Sequence, residues 1–306
     1  MRRTKFLQLI GLLLPLAFIS CTAKTCESKK GVEPVVNQEK FSFAFLTDVH
    51  LNKQNRGESN DGLRQALEDT KHRNVSFIMF GGDNVETDRM KKEDADAAEE
   101  VHKRFKQIVD ESGQQCHFTI GNHDRYYYSD GQVDSLGYRL FEKYFGPTYG
   151  SFDYQGVHFI TLNSLDHDAD KNYSIGAAQM EWLKTDLEKT GKLTPIVVTL
   201  HVPMLSLYYP VVEGTFKGTD MISNSQSVLN LLKEYNTKLV LQGHQHLYEE
   251  INERQCWFIT GGAVCAYWWG GPFLETQEGY LLVHVDQNNE FSWEYVDYGW
   301  TAKTNK

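Results

Sequence analysis

Cysteine is scarce in this sequence and is not spaced for metal. Five cysteines occur in 306 residues, with no C-x-x-C pair among them, which disfavours a thiolate zinc site. Positive charge is short too: 31 Lys and Arg face 41 Asp and Glu, for a formal net charge of −10. Nucleic acid would need a basic stripe to lie on, so neither a nucleic-acid partner nor a DNA nuclease is expected. Long apolar runs are missing as well. The stretch from Phe6 to Ile19 is almost wholly apolar but too short for an ordinary membrane span. There is no internal repeat and no low-complexity block outside residues 22–40. What remains is an ordinary globular composition, 41% hydrophobic and 24% charged. It is long enough for one large α/β domain or two small ones.

The N-terminus reads as a targeting segment. Arg2, Arg3 and Lys5 make a basic start before the apolar run, and loss of a leader over 1–20 removes these three cations. The run ends Phe18-Ile19-Ser20-Cys21, which resembles the lipobox of bacterial lipoproteins, with Phe18 where leucine is usual. That likeness implies cleavage before Cys21, a lipid anchor to the membrane at Cys21, and an exported protein. Ordinary secretion to the periplasm or cell surface, with cleavage nearby, is the alternative. The polar residues from Thr22 to Lys40 read as a flexible tether, so 21–40 join the leader to a single domain over 41–300. In an oxidising compartment Cys256 and Cys265 are close enough in sequence to pair, and buried free thiols are the equal alternative.

After the tether, strand and helix patterns alternate. Strands are expected at Phe41–Thr47, Ser76–Phe80 and Gln115–Ile120, and helices at Gly62–Arg73, Lys91–Ser112 and Leu136–Phe145. Gly146-Pro147 stops the last of these. Ser151–Tyr154 and Val157–Leu162, split by Gln155-Gly156, read as a hairpin. Helix Ala177–Lys189, strand Ile196–Leu200, helix Ser225–Tyr235 and strand Leu239–Leu241 follow. Four further strands close the chain, Leu247–Ile251, Cys256–Thr260, Tyr280–Val285 and Phe291–Val296. The pattern implies two sheets with helices outside.

Hard polar chemistry is concentrated in five short segments: Asp48-Val49-His50, Gly82-Asp83-Asn84, Gly121-Asn122-His123-Asp124, His201, and Gly243-His244-Gln245-His246. Each follows an apolar run, so each lies where a strand delivers side chains to a cleft. Asp48 and His50, two apart on an extended strand end, should face the same side. Asp83 has two oxygens and can bridge two cations. Asn122 offers a neutral carbonyl oxygen, while His201, His244 and His246 offer imidazoles that are neutral at working pH. Together they make a nitrogen and oxygen cage for two hard or borderline divalent metals, and manganese, iron and zinc all accept such a set. The histidines outside these segments, His72, His102, His117, His158, His167 and His284, are read as core or surface residues.

One such segment is weak evidence, but all five in this order resemble those of the calcineurin-like metallophosphoesterase superfamily. The likeness runs from about Phe43 to His246. It implies a four-layer α/β/β/α sandwich of two mixed sheets flanked by helices, with the strands after His246 in the second sheet. It also implies two divalent metal ions (Mn, Fe or Zn). Carried over residue by residue, Asp48, His50, Asp83 and His246 hold one ion, and Asp83, Asn122, His201 and His244 hold the other. Two ions about 3.5–4 Å apart acidify a shared water and clamp the phosphoryl oxygens. The resulting hydroxide attacks phosphorus in line with the leaving oxygen. His123 is implied to be no ligand; it protonates the leaving alkoxide or stabilises the transition state. Asp124 is expected to orient its imidazole.

The implied activity is hydrolysis of a small phosphate ester. A phosphodiester, the nucleotide type included, is the first expectation, with a monoester or pyrophosphate as the alternative. A surface lipoprotein that only binds a phosphorylated ligand is the non-enzymatic alternative, but such a binder has no need for a leaving-group acid. Purple acid phosphatases carry a tyrosine ligand three residues after the bridging aspartate, where this chain has Glu86, and lack a histidine at the place of His50. A tyrosinate charge-transfer colour is therefore not expected. Glu86 and Asp88 are read as cleft rim or simply solvated. The aromatics Tyr126–Tyr128 and Tyr267–Trp269 either stack on a substrate or pack loop to core. The segment around Trp268-Trp269 also loosely resembles secreted bacterial enzymes similar to cyclic-nucleotide phosphodiesterases.

Overall fold

A computed structural model describes residues 39–303 apart from 216. The leader, Cys21 and the tether up to residue 38 lie outside the described residues. The chain runs β1 (Glu39–Leu46), α1 (Ser59–His72), β2 (Phe77–Phe80), α2 (Ala95–Ser112), β3 (Cys116–Phe118) and α3 (Arg139–Phe145). Next come β4 (Gly150–Tyr154), β5 (Val157–Leu162), β6 (Asp166–His167), β7 (Tyr173–Ser174), α4 (Ala177–Thr190) and β8 (Ile196–Leu200). The remainder is α5 (Ser225–Leu232), β9 (Thr237–Gln242), β10 (Tyr248–Glu253), β11 (Cys256–Gly261), β12 (Gly279–Asp286) and β13 (Phe291–Asp297).

Two large mixed sheets result, ordered β13-β12-β1-β2-β3 and β10-β11-β9-β8-β5-β4, with β6 and β7 forming a small ribbon. Alternation along β1 shows why they stack. Phe41, Phe43 and Phe45 point into a core shared with Phe159, Val197, Leu239, Leu241 and Ile259 of the second sheet. Ala44 and Leu46, on the other face, pack with Leu63 and Leu67 of α1 and Val101, Phe105 and Ile108 of α2. The second sheet repeats the pattern: Ile196, Val198 and Leu200 meet Leu183 and Leu187 of α4 and Val228 and Leu232 of α5. A period-2 strand that is apolar on both faces must be covered on both sides. The four-layer sandwich is the arrangement that does so.

Some expectations need correction. Only β10 and β11 of the late strands join the second sheet; β12 pairs antiparallel with β1, and β13 with β12. The reason is that β12 is apolar on both faces, with Leu281, Val283 and Val285 between the sheets and Tyr280 and Leu282 toward α1. It fits beside the central strand β1 better than at an edge. Helix α3 starts at Arg139 rather than Leu136. Gly137 has a left-handed φ of 75°, and the Asp134 carboxylate accepts from Arg139 N at 2.9 Å, so the chain turns just before the helix. Cys116, Cys256 and Cys265 are free thiols. Among the described residues no helix is long and apolar enough to cross a membrane.

Candidate metal centre

The parallel strands β1, β2, β3, β8 and β9 end at one rim of the sandwich, and all five polar segments lie just past those ends. The open α/β rule places ligands there. Asp48 and His50 come together, but not by strand alternation: β1 has ended at Leu46, and both residues have left-handed backbone, φ 55° and 49°. Asp83 (50°), His244 (72°) and His246 (57°) share that conformation. Left-handed backbone costs an L-residue on the order of 1–2 kcal/mol. Bonds from Asp48 N to Gly82 O (3.0 Å) and from His50 N to Asp83 O (2.9 Å) hold the first two loops against each other. Gly121 and Gly243 are required by close approach. A Cβ on Gly121 would collide with Asp83 N, and one on Gly243 with Thr47 Oγ1.

Six of the seven expected ligands converge. Asp83 Oδ2 lies 3.1 Å from His201 Nε2, 3.6 Å from His50 Nε2 and 4.0 Å from His123 Nε2. Asp48 Oδ1 lies 3.4 Å from His246 Nε2 and 3.9 Å from His50 Nε2. The Nε2 atoms of His50 and His246 face each other at 3.0 Å, while His244 groups with Asp83 and His201. The seventh, Asn122, follows β3 with its side-chain carbonyl oxygen buried and unpartnered.

The tautomers are readable because carbonyl oxygens only accept. His201 Nδ1 donates to Gly81 O (3.0 Å), His246 Nδ1 to Ala266 O (2.6 Å), and His244 Nε2 to Thr219 O (2.9 Å). Each ring therefore turns its other nitrogen toward the carboxylates, as metal-ligating histidines do. Buried polar atoms are rarely left unpaired, yet Asn122 Oδ1 and His201 Nε2 have no hydrogen-bond partner. Unspent lone pairs around two buried carboxylates fit divalent cations. Burial pushes the Asp83 carboxyl up, but His201, His123 and His50 outweigh it and hold the group well below its ordinary value. For Asp48, His246 likewise overcomes burial.

The neighbours of His123 differ from expectation. Its Nδ1 pairs with Asp88 Oδ1 at 2.8 Å, and its backbone N donates to Asp83 Oδ1 at 2.7 Å. Asp124 does not touch the imidazole. Its carboxylate accepts from Gly121 N (2.7 Å), Val85 N (2.9 Å) and Asn84 Nδ2 (3.0 Å), so it fastens the loop that carries Asn122 to the loop that carries Asp83. A fully buried carboxylate amid three donors ties backbone together, and its orientation leaves none for His123. Burial opposes charge on His123, but Asp83 and Asp88 raise the imidazole to about 9.

Three residues left open or unnoticed in the sequence thus stand at the centre. Asp88 holds His123. Glu86 Oε1 lies 3.5 Å from His50 Nδ1 and its other oxygen pairs with Arg56 at 2.7 Å. The buried Cys265 Sγ lies 4.0 Å from His246 Nδ1. A cleft of about 560 Å³ opens in front, lined by His50, His123, Arg56, Glu86, Asp88 and Trp268, among others. An acidic pair just after Gly-Asp-Asn was the available signal for Glu86 and Asp88; nothing local marked Arg56.

Residues 41–248 match the model of the calcineurin-like phosphoesterase family. The chain belongs to that family. By family it is a metal-dependent phosphoesterase, and the family's dinuclear chemistry agrees with the His and Asp clusters just described. Two Arabidopsis thaliana proteins, purple acid phosphatase 23 and purple acid phosphatase 15, are 34% and 35% identical to it over 106 residues, 34% of this chain. The match spans only 21% and 18% of the length of those relatives. Among solved structures, a dimetal phosphatase from Danio rerio superposes with a TM-score of 0.61 at 14% identity, covering 84% of this chain and 96% of that one. The Plasmodium protein GAP50, described as the anchor in the inner membrane complex, gives 0.53 at 17% identity, covering 87% of both. These two likenesses concern the fold. The matched segment supports the four-layer sandwich expected from the motifs.

Proposed function

We propose that this phosphoesterase hydrolyses a small phosphate ester, a phosphodiester in the first instance, with manganese, iron or zinc at two adjacent sites. Asp48, His50, Asp83 and His246 would hold one ion and Asp83, Asn122, His201 and His244 the other. The observation that carries the reading is the convergence of imidazole nitrogens and the orphaned Asn122 Oδ1 on two buried carboxylates. When bound, the ions supply Lewis acidity and a water of lowered pKa. His123, fixed through Nδ1 by Asp88, presents Nε2 toward the cleft and gives its proton to the leaving alkoxide.

A phosphomonoesterase is the second reading, and the phosphatase names of the relatives favour it. Manganese-loaded protein should cleave bis(4-nitrophenyl) phosphate faster than 4-nitrophenyl phosphate, and the reverse order selects the second reading. Metal analysis should find two ions per chain, with both metal and turnover lost in Asp83→Ala. Unchanged turnover in that variant ends the assignment. A lipid on Cys21, anchoring the enzyme outside the inner membrane, belongs to the same proposal and rests on the lipobox-like residues 18–21. Cys21→Ser should then release the protein from the membrane fraction.

A further inference from the structure

Two adjacent tryptophans in the loop after β11 have opposite environments. Trp269 is buried, its Nε1 donates to Val49 O at 2.9 Å, and its side chain lies so close on Gly57 and Gly62 that a Cβ at either would collide with it. That residue anchors the loop to the core. Both residues border the metal cleft, but Trp268 is 44% exposed. Its ring centre lies 4.4 Å from that of His246 and 5.7 Å from that of His50. Tyr267, 54% exposed, meets it edge-on at 5.5 Å.

The backbone that carries the indole is strained as well. Ala266, Trp268 and Trp269 have φ of 40°, 46° and 68°, a region that bulky L-residues rarely enter. Strain of this kind clusters at active sites and ligand clamps. Packing accounts for the whole of Trp269, whereas Trp268, though it rests on His246 and His50, keeps 44% of its surface open to water beside the metal ligands. The same cleft is also lined by the polar groups of Arg56, Glu86 and Asp88. A ligand part that is flat and apolar on its faces but hydrogen-bonding at its edges suits such a lining. A nucleobase has that chemistry.

We propose that Trp268 is a specificity-determining residue whose indole stacks on the nucleobase of a nucleotide-type phosphate ester while the phosphate lies at the metal centre. The proposal rests on the hydrolase reading and adds the substrate class to it. The test compares adenosine 5′-monophosphate with ribose 5-phosphate, which keeps the sugar phosphate and lacks the base. Both are used as competitors of bis(4-nitrophenyl) phosphate hydrolysis by the manganese-loaded full chain. The nucleotide should compete roughly tenfold or more better, as one base-to-aromatic stack provides. That advantage should vanish in Trp268→Asn, which suits left-handed backbone, and survive in Trp268→Phe. Tryptophan fluorescence should be quenched by the nucleotide and not by ribose 5-phosphate, again only when residue 268 is Trp. Equal competition in the wild type, or an advantage that persists in Trp268→Asn, overturns the proposal. If the wild type cleaves no ester, the hydrolase reading fails instead, and the fluorescence comparison still decides whether the indole receives a base.

Discussion

Replacing Asp88 by alanine removes the carboxylate that holds His123 Nδ1 at 2.8 Å, and the consequence should depend on the leaving group. If His123 donates a proton to the departing oxygen, a methyl ester, whose alkoxide leaves poorly, needs that proton. A nitrophenyl ester does not. General acid catalysis contributes roughly 10²–10⁴-fold, and removing a residue that orients such a group costs roughly 10–100-fold. For a methyl phosphodiester, His123→Ala should therefore lose the larger factor and Asp88→Ala the smaller one. For the nitrophenyl ester both losses should shrink to a few-fold. Asp124→Asn disturbs the acceptors of Gly121 N and Val85 N instead. Leaving such donors unsatisfied costs about 1–3 kcal/mol, so this variant should melt earlier and lose metal, slowing both esters by the same factor. The assay is kcat/KM for the two esters in all three variants, with bound metal measured alongside. Leaving-group dependence in Asp124→Asn but not in Asp88→Ala would refute the assignment of partners.

Other outcomes follow from single features. His102 is fully buried between Ala98 O and Asp124 O, and burial lowers its pKa to about 4. The unfolded chain takes up this proton first as pH falls below about 6.5, so stability is full above that value and declines toward pH 4, by up to about 3 kcal/mol. Urea titrations at pH 7, 5.5 and 4.5 should show this slope, and His102→Leu should flatten it. Phe45→Ala opens a hole between the sheets, where the ring is wholly buried, and should cost about 3–5 kcal/mol in denaturant unfolding. Gly121→Ala forces a Cβ against Asp83 N, and elemental analysis should find fewer than two ions per chain. Chelation should lower the melting temperature, and manganese should restore it, because the ions bind only the folded state; an unchanged melting temperature would count against a dinuclear site.

The metal segments were readable in sequence because each combines a strand end with residues whose chemistry is specific in itself. Asp48, Asp83, Asn122 and His201 each need only a strand to bring them to the rim, and for Asp48 the period of Phe41, Phe43 and Phe45 announces it. The partners of those residues were not readable in the same way. Asp124 follows His123 directly, and sequence proximity made it the obvious orienting group. The turn at Asn122–Asp124 sends that carboxylate inward to backbone amides. Asp88, 35 residues away from His123, reaches it instead.

Local pattern alone determined the α/β class, the strands that lead to the site and the residue types able to bind divalent cations, since each depends on periodicity or on the chemistry of one side chain. Tertiary structure alone decided that β12 and β13 flank β1, that His123 leans on Asp88, and that Trp268 faces the cleft while Trp269 fills the core. Those outcomes are competitions for buried volume and for hydrogen-bond partners between segments far apart in the chain. No window of neighbouring residues contains both competitors.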